Sequence, residues 1–123
     1  MIPALRLALA DVAAPWCMRR YAIKLQINCG CRLGAAAAVY IAMTADGAVD
    51  YVGSTARESA TALHDRIREH VSDRRRSDRW LHLFVLELRP DTPRAEVRLI
   101  EGEVGRLLAP LSNRRLPRPR PAA

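Results

Sequence analysis

The chain has 123 residues, with 20 Lys and Arg against 13 Asp and Glu, a formal net charge of +7 and a sequence pI near 10.3. That length supports one hydrophobic core and one site, not a second domain of comparable weight. Three cysteines, Cys17, Cys29 and Cys31, are too few and too odd for a disulfide framework, and Cys29-Gly30-Cys31 lacks zinc-knuckle spacing.

Lys24 is the only lysine, so the cationic excess is arginine. Guanidinium groups contact phosphate bidentately and stay charged when partly desolvated, which points to a polyanionic partner; a GC-rich coding bias accounts for part of the excess. Residues 1–14 are apolar, but Asp11 interrupts them and no run reaches the length of a membrane span. Neither a signal peptide nor a transmembrane helix is expected, and the thiols suit a reducing cytoplasm.

The alanine- and leucine-rich stretch from Met1 to Arg20 reads as a short helix or an irregular lead-in. Ile23, Leu25 and Ile27 alternate with polar residues, as in a half-exposed edge strand. Gly30 and Gly34 mark a loop. Two short strands then follow, Ala38 to Ile41 and Tyr51 to Gly53, rich in β-branched and aromatic types, with Asp46-Gly47 supplying the positive φ of a hairpin turn. The hairpin brings Tyr40 and Tyr51 near one another. Two packed tyrosines are an ordinary core feature by themselves.

Ser54 to Glu58 reads as a polar connection to a helix beginning near Ser59 or Thr61 and ending at Val71, with Leu63, Ile67 and Val71 as its apolar stripe. Arg66 and His70 lie one turn apart on a neighbouring face. Arg74, Arg75 and Arg76 sit in a charged loop that suits phosphate contact and a solvated turn equally well. Trp80 to Leu88 is apolar at nearly every position, as expected of a central strand buried on both faces. Thr92 as N-cap, followed by Pro93 at the first helical position, opens a last helix, with Val97, Ile100, Val104, Leu107 and Leu108 as its stripe and Pro110 as its stop. Glu101 falls on the edge of that stripe, and a carboxylate there needs a partner. Gly102 and Gly105 weaken a helix interior and mark close packing or the close approach of another group. The tail from Asn113 alternates proline with arginine and reads as extended and disordered.

These residues resemble the GIY-YIG nuclease family. Ala38-Val39-Tyr40 stands for the first tripeptide and Tyr51-Val52-Gly53 for the second, with ten residues between the tyrosines. Arg66 and His70 match the arginine and histidine of the following helix. Glu101, Pro110 and Asn113 match the later glutamate, proline and asparagine in order and spacing. The resemblance covers about 37–113, and its one departure is Ala38 in place of the usual glycine. It implies an α+β fold: a three-stranded, mainly antiparallel sheet flanked by helices, which an N-terminal edge strand could extend. It divides the chain into an N-terminal extension (1–36), a nuclease-like domain (37–113) and a basic tail (114–123).

The resemblance further implies a divalent-metal-dependent endonuclease of the cytoplasm, hydrolysing DNA with one Mg²⁺ or Mn²⁺. Tyr40, Tyr51, Arg66, His70, Glu101 and Asn113 would form its site, with Glu101 as the metal ligand and Tyr40 as first choice of general base. A phenol titrates near ~10, so that role depends on nearby cations. Arg57, Arg74, Arg75, Arg76, Arg114 and Arg115 are the candidate contacts to duplex or branched DNA. Specificity would come from the basic segments, the first 37 residues, homodimerisation or a partner protein. The alternative is a catalytically inactive nucleic-acid-binding module on the same scaffold. Residue by residue, Arg66 could simply pair with Glu101, His70 could be a surface histidine and Asn113 a turn residue, while His64 and His82 read as structural.

Overall fold

A computed structural model describes residues 1–26, 36–56 and 80–111. Within them α1 (Pro3–Val12) precedes strands β1 (Ile23–Gln26), β2 (Ala37–Thr44), β3 (Val49–Ala56) and β4 (Trp80–Leu88), and α2 (Arg94–Leu108) follows. The expected helix from Ser59 or Thr61 to Val71, the Gly30–Gly34 loop, the arginine loop and the tail lie outside the described residues. The strands form one antiparallel sheet in the order β1-β4-β2-β3. This is the expected α+β class, and the N-terminal edge strand is present as a fourth strand, joined to β4 rather than to the hairpin.

The hairpin closes at Thr44–Ala48. Gly47 takes φ +86°, which an L side chain rarely adopts, and Thr44 and Ala48 bond across the turn. The Thr44 hydroxyl donates to the Asp46 carboxylate, and this bond holds the Asp46 carboxyl below its usual range. β3 runs through Ser54, Thr55 and Ala56, which pair with Val39, Ala38 and Ala37. The first three residues of the expected polar connection, Ser54 to Ala56, are therefore strand, because their partner β2 begins as early as Ala37.

One face of the sheet carries the larger core. Val39, Ile41, Val52, Phe84, Leu86 and Leu88 pack there with Val97, Ile100 and Val104 of α2 and with Leu9, Ala10 and Ala13 around α1. The N-terminal segment is thus part of the core and not a loose lead-in. Arg6 fastens it: its Nε donates to the Ala22 carbonyl at 2.9 Å, and its guanidinium lies 5.4 Å from the ring centroids of both Tyr21 and Phe84. Cys17 bridges to Leu88, and burial pushes its thiol pKa up, as for an idle thiol.

Two expectations about α2 are corrected. Its N-cap is Pro93, with no side-chain cap bond; the Thr92 hydroxyl donates instead to the Arg89 carbonyl, so it closes the preceding turn. The helix ends at Leu108 ahead of Pro110, as expected, and Ala109 caps it in the left-handed conformation (φ 48°, ψ 64°), its N–H donating to the Gly105 carbonyl at 2.8 Å. Leu107, expected in the buried stripe, is 55% exposed in the last turn. An alanine Cβ is strained at such a φ, so Ala109→Gly is expected to stabilise the fold by about 0.5–1 kcal/mol. Urea unfolding would show it as a higher midpoint at an unchanged slope.

Candidate functional site

The second face of the sheet is built around the tyrosines. Successive strand residues point to opposite sides, so Ala38, Tyr40 and Ala42 of β2 turn away from the α2 side and cluster with Trp80, Leu83 and Val85, while Leu25 and Tyr51 pack against them. Tyr40 is fully buried and Tyr51 half-buried. Their rings stack with centroids 6.2 Å apart at an interplanar angle of 27°, a separation within the favourable range for offset aromatic pairs. The pair expected from the hairpin therefore exists.

Gly53 is the reason that it fits. Gly53 pairs with Tyr40 across the hairpin, and a Cβ added there would stand 2.5 Å from Tyr40 Cζ and 2.7 Å from Tyr51 Cε1, with the Tyr40 hydroxyl also inside contact distance. Real carbon atoms do not approach so closely. The phenol of Tyr40 thus lies over the bare backbone of Gly53, and the third position of the second tripeptide serves the tyrosine of the first.

A bulge supplies the next part of the wall. Ala42 pairs with Tyr51 but Met43 pairs with Val49, which makes Asp50 the additional residue of β3. Its carboxylate is 2% exposed and accepts a 2.7 Å hydrogen bond from the indole Nε1–H of Trp80. Trp80 in turn packs on Tyr51, centroid to centroid 5.6 Å. Asp50, Trp80, Tyr51 and Tyr40 so form one continuous chain of contacts across three strands. Sequence reasoning missed Asp50 and Trp80. The available signal was local: aspartate disfavours strands, and one lying between Val49 and Tyr51 marks an inconsistency that a bulge resolves.

Ala38, the departure from the usual glycine, is fully buried and pairs with both Thr55 and Glu87. Its methyl is accommodated with the strand ladder intact on both sides. Glu87 is engaged by Arg19 Nε at 3.2 Å. His82 sits half-buried in β4, outside the tyrosine cluster.

Glu101 is half-buried on the flank of the α2 stripe. The helix lies against β3 with both ends tied to it: Arg94 Nη2 donates to the Ala56 carbonyl at 3.1 Å, and the Leu111 N–H donates to the Val49 carbonyl at 3.2 Å. The helix and strand therefore run in opposite directions. At 1.5 Å per helical residue Glu101 stands about 10 Å from Arg94, which brings it level with Val52 and Gly53 on a strand rising ~3.4 Å per residue. It is level with the tyrosine pair along β3, although the α2 stripe covers the other face of the sheet. Arg66, His70, Asn113, Arg57, Arg74, Arg75, Arg76, Arg114 and Arg115 lie outside the described residues.

Among the described residues no three His, Cys, Asp or Glu side chains converge on a metal position, and no helix is long and apolar enough to cross a membrane. A hollow of about 280 Å³ lined by Pro3, Arg6, Leu7 and Tyr21 contains none of the site residues. No protein-family model, curated protein or solved structure matches the chain.

Proposed function

We propose that the chain is a divalent-metal-dependent endonuclease that hydrolyses DNA phosphodiester bonds at the tyrosine wall. The observation that carries this reading is the Tyr40–Tyr51 stack seated on Gly53, because it gives the two motif tripeptides a joint physical purpose: two phenol-bearing side chains held rigidly on one face of a sheet. The net charge of +7 supports a nucleic-acid substrate.

A donor set of one carboxylate and several hydroxyls is all oxygen, which fits a hard cation that keeps most of its waters; a triad of protein ligands is not required. Glu101 would hold Mg²⁺ or Mn²⁺, and the ion when bound would offset the charge that develops on the phosphoryl oxygens. Tyr40 as phenolate takes a proton from the attacking water, whose oxygen forms the new bond to phosphorus as the bond to the departing sugar oxygen breaks. Burial alone disfavours a phenolate, so this role for enclosed Tyr40 relies on the Arg66 and His70 cations. Arg66 also pairs bidentately with the scissile phosphate. Half-buried Tyr51 orients the substrate, and Asn113 steadies Glu101.

Purified chain is expected to nick supercoiled plasmid with Mg²⁺ or Mn²⁺ and to stop when the metal is chelated. Glu101→Ala should lower the rate by about 10²-fold or more while retention of DNA on a filter changes little. Unimpaired cutting by that variant would overturn the metal-ligand assignment. Salt-sensitive DNA retention with no cleavage under any divalent ion would favour the inactive binding module instead.

A further inference from the structure

Resting on the nuclease reading, we infer that Trp80 is a positioning residue for the reaction, whose indole, aimed by Asp50, holds the Tyr51 phenol where a DNA phosphate meets it. The two tyrosines differ in access. Tyr40 is fully enclosed and Tyr51 half-buried, so Tyr51 is the member of the pair with surface open to a substrate. A partly open ring on a strand turns about its side-chain torsions unless its neighbours prevent it. Here two rings prevent it. Tyr51 pairs with Ala42; Tyr40 stands two residues before Ala42 on β2, and Trp80 lies opposite Thr44, two residues after it. The Tyr40 and Trp80 rings therefore approach Tyr51 from opposite ends of the strands, with centroids at 6.2 and 5.6 Å.

The two flanks are fixed by different means. Tyr40 is held by complete burial and by its seat on Gly53. Trp80 is held by direction: an indole has a single N–H, and the 2.7 Å bond from Nε1 to Asp50, itself 2% exposed, selects the ring orientation in which that edge faces β3. Asp50 and Tyr51 are consecutive, so Trp80 touches two successive residues of β3, one with its N–H and the other with its ring. The aim of the indole is thus set against the same stretch of backbone that carries the phenol. The residue that the bulge adds is the acceptor. A phenol that orients a phosphate acts through its position, and a misplacement of ~1 Å costs up to about 10²-fold in rate. Loss of aim is therefore read in kcat more than in KM.

The test is a double-mutant cycle on Trp80→Phe, Tyr51→Phe and the double variant, read as plasmid nicking with Mg²⁺ well below the Tm of each protein. Trp80→Phe keeps an aromatic surface and removes the N–H; it is expected to lower kcat about 10-fold with KM within twofold. Tyr51→Phe is expected to lower kcat about 10²-fold. Adding Trp80→Phe to it should change kcat by less than about twofold, because the hydroxyl being aimed is already gone. Equal losses from Trp80→Phe in both backgrounds would overturn the inference, since a packing role costs the same with or without that hydroxyl. So would a wild-type kcat in either single variant, and all of these outcomes leave the nuclease reading standing. If Trp80→Phe does not fold, Asp50→Asn runs through the same cycle, expected to give a loss of about threefold that vanishes beside Tyr51→Phe; no loss, or an equal loss in both backgrounds, overturns the inference. A wild-type chain that cuts no DNA with any divalent ion removes the nuclease reading, and the inference falls with it.

Discussion

Gly53→Ala is expected to abolish DNA cleavage and to destabilise the fold by about 2–3 kcal/mol. A Cβ at this position meets Tyr40 Cζ at 2.5 Å and Tyr51 Cε1 at 2.7 Å. The Tyr40 ring is fully enclosed and cannot step aside without disturbing its neighbours, so the cost is that of overpacking a core. The displaced rings would also lose their stacking, which should appear as a change in near-ultraviolet circular dichroism of the tyrosines. Gly47→Ala is the matched control. Gly47 has φ +86° and nothing within 4 Å of the added atom, so the substitution strains the turn by about 1 kcal/mol and leaves the tyrosines untouched. Lower stability in both variants with cleavage lost only in Gly53→Ala would separate the tyrosine seat from general stability. Full activity in a folded Gly53→Ala protein would refute the seat.

Trp80→Ala is expected to cost about 3–5 kcal/mol, the usual range for deleting a large buried aromatic. Trp80 is 4% exposed, bonded to the Asp50 carboxylate at 2.7 Å and packed on Tyr51. Trp80→Phe is the sharper variant. It keeps an aromatic surface against Tyr51 and removes the indole N–H, so it should cost roughly 1–3 kcal/mol through the lost bond to a buried acceptor. Chemical denaturation of both proteins would give the two values. Equal and negligible losses would mean that the Asp50–Trp80 bond does not brace the wall.

Much of this architecture was legible because its signals are local. Asp46-Gly47 between β-branched runs marks the hairpin without reference to anything distant, and the apolar run from Trp80 to Leu88 marks an inner strand. Val97, Ile100 and Val104 mark the face of α2 at helical spacing. The parts that were not legible depend on partners far along the chain. Nothing near Asp50 names Trp80, and nothing near Trp80 signals a ring aimed at Tyr51; both follow from the strand order and from an added residue in β3. The end of α2 was legible from Pro110, a local stop signal, whereas the left-handed conformation of Ala109 breaks a local preference and could not be read from the sequence. For the site, the tyrosine pair was readable from spacing alone, while the seat on Gly53 needed three-dimensional proximity.

The strand order also sets the sequence in which the fold can assemble. β2 and β3 are joined by a four-residue turn and can pair as soon as both exist, but Ile23 of β1 has Val85 of β4 as its partner. On a growing chain the N-terminal strand must wait until most of the domain has been synthesised before it meets its neighbour. α1, held through Arg6 to Ala22 just ahead of β1 and to Phe84 of β4, waits with it. The tyrosine hairpin is thus placed to form first, and the segment made first is placed to dock last.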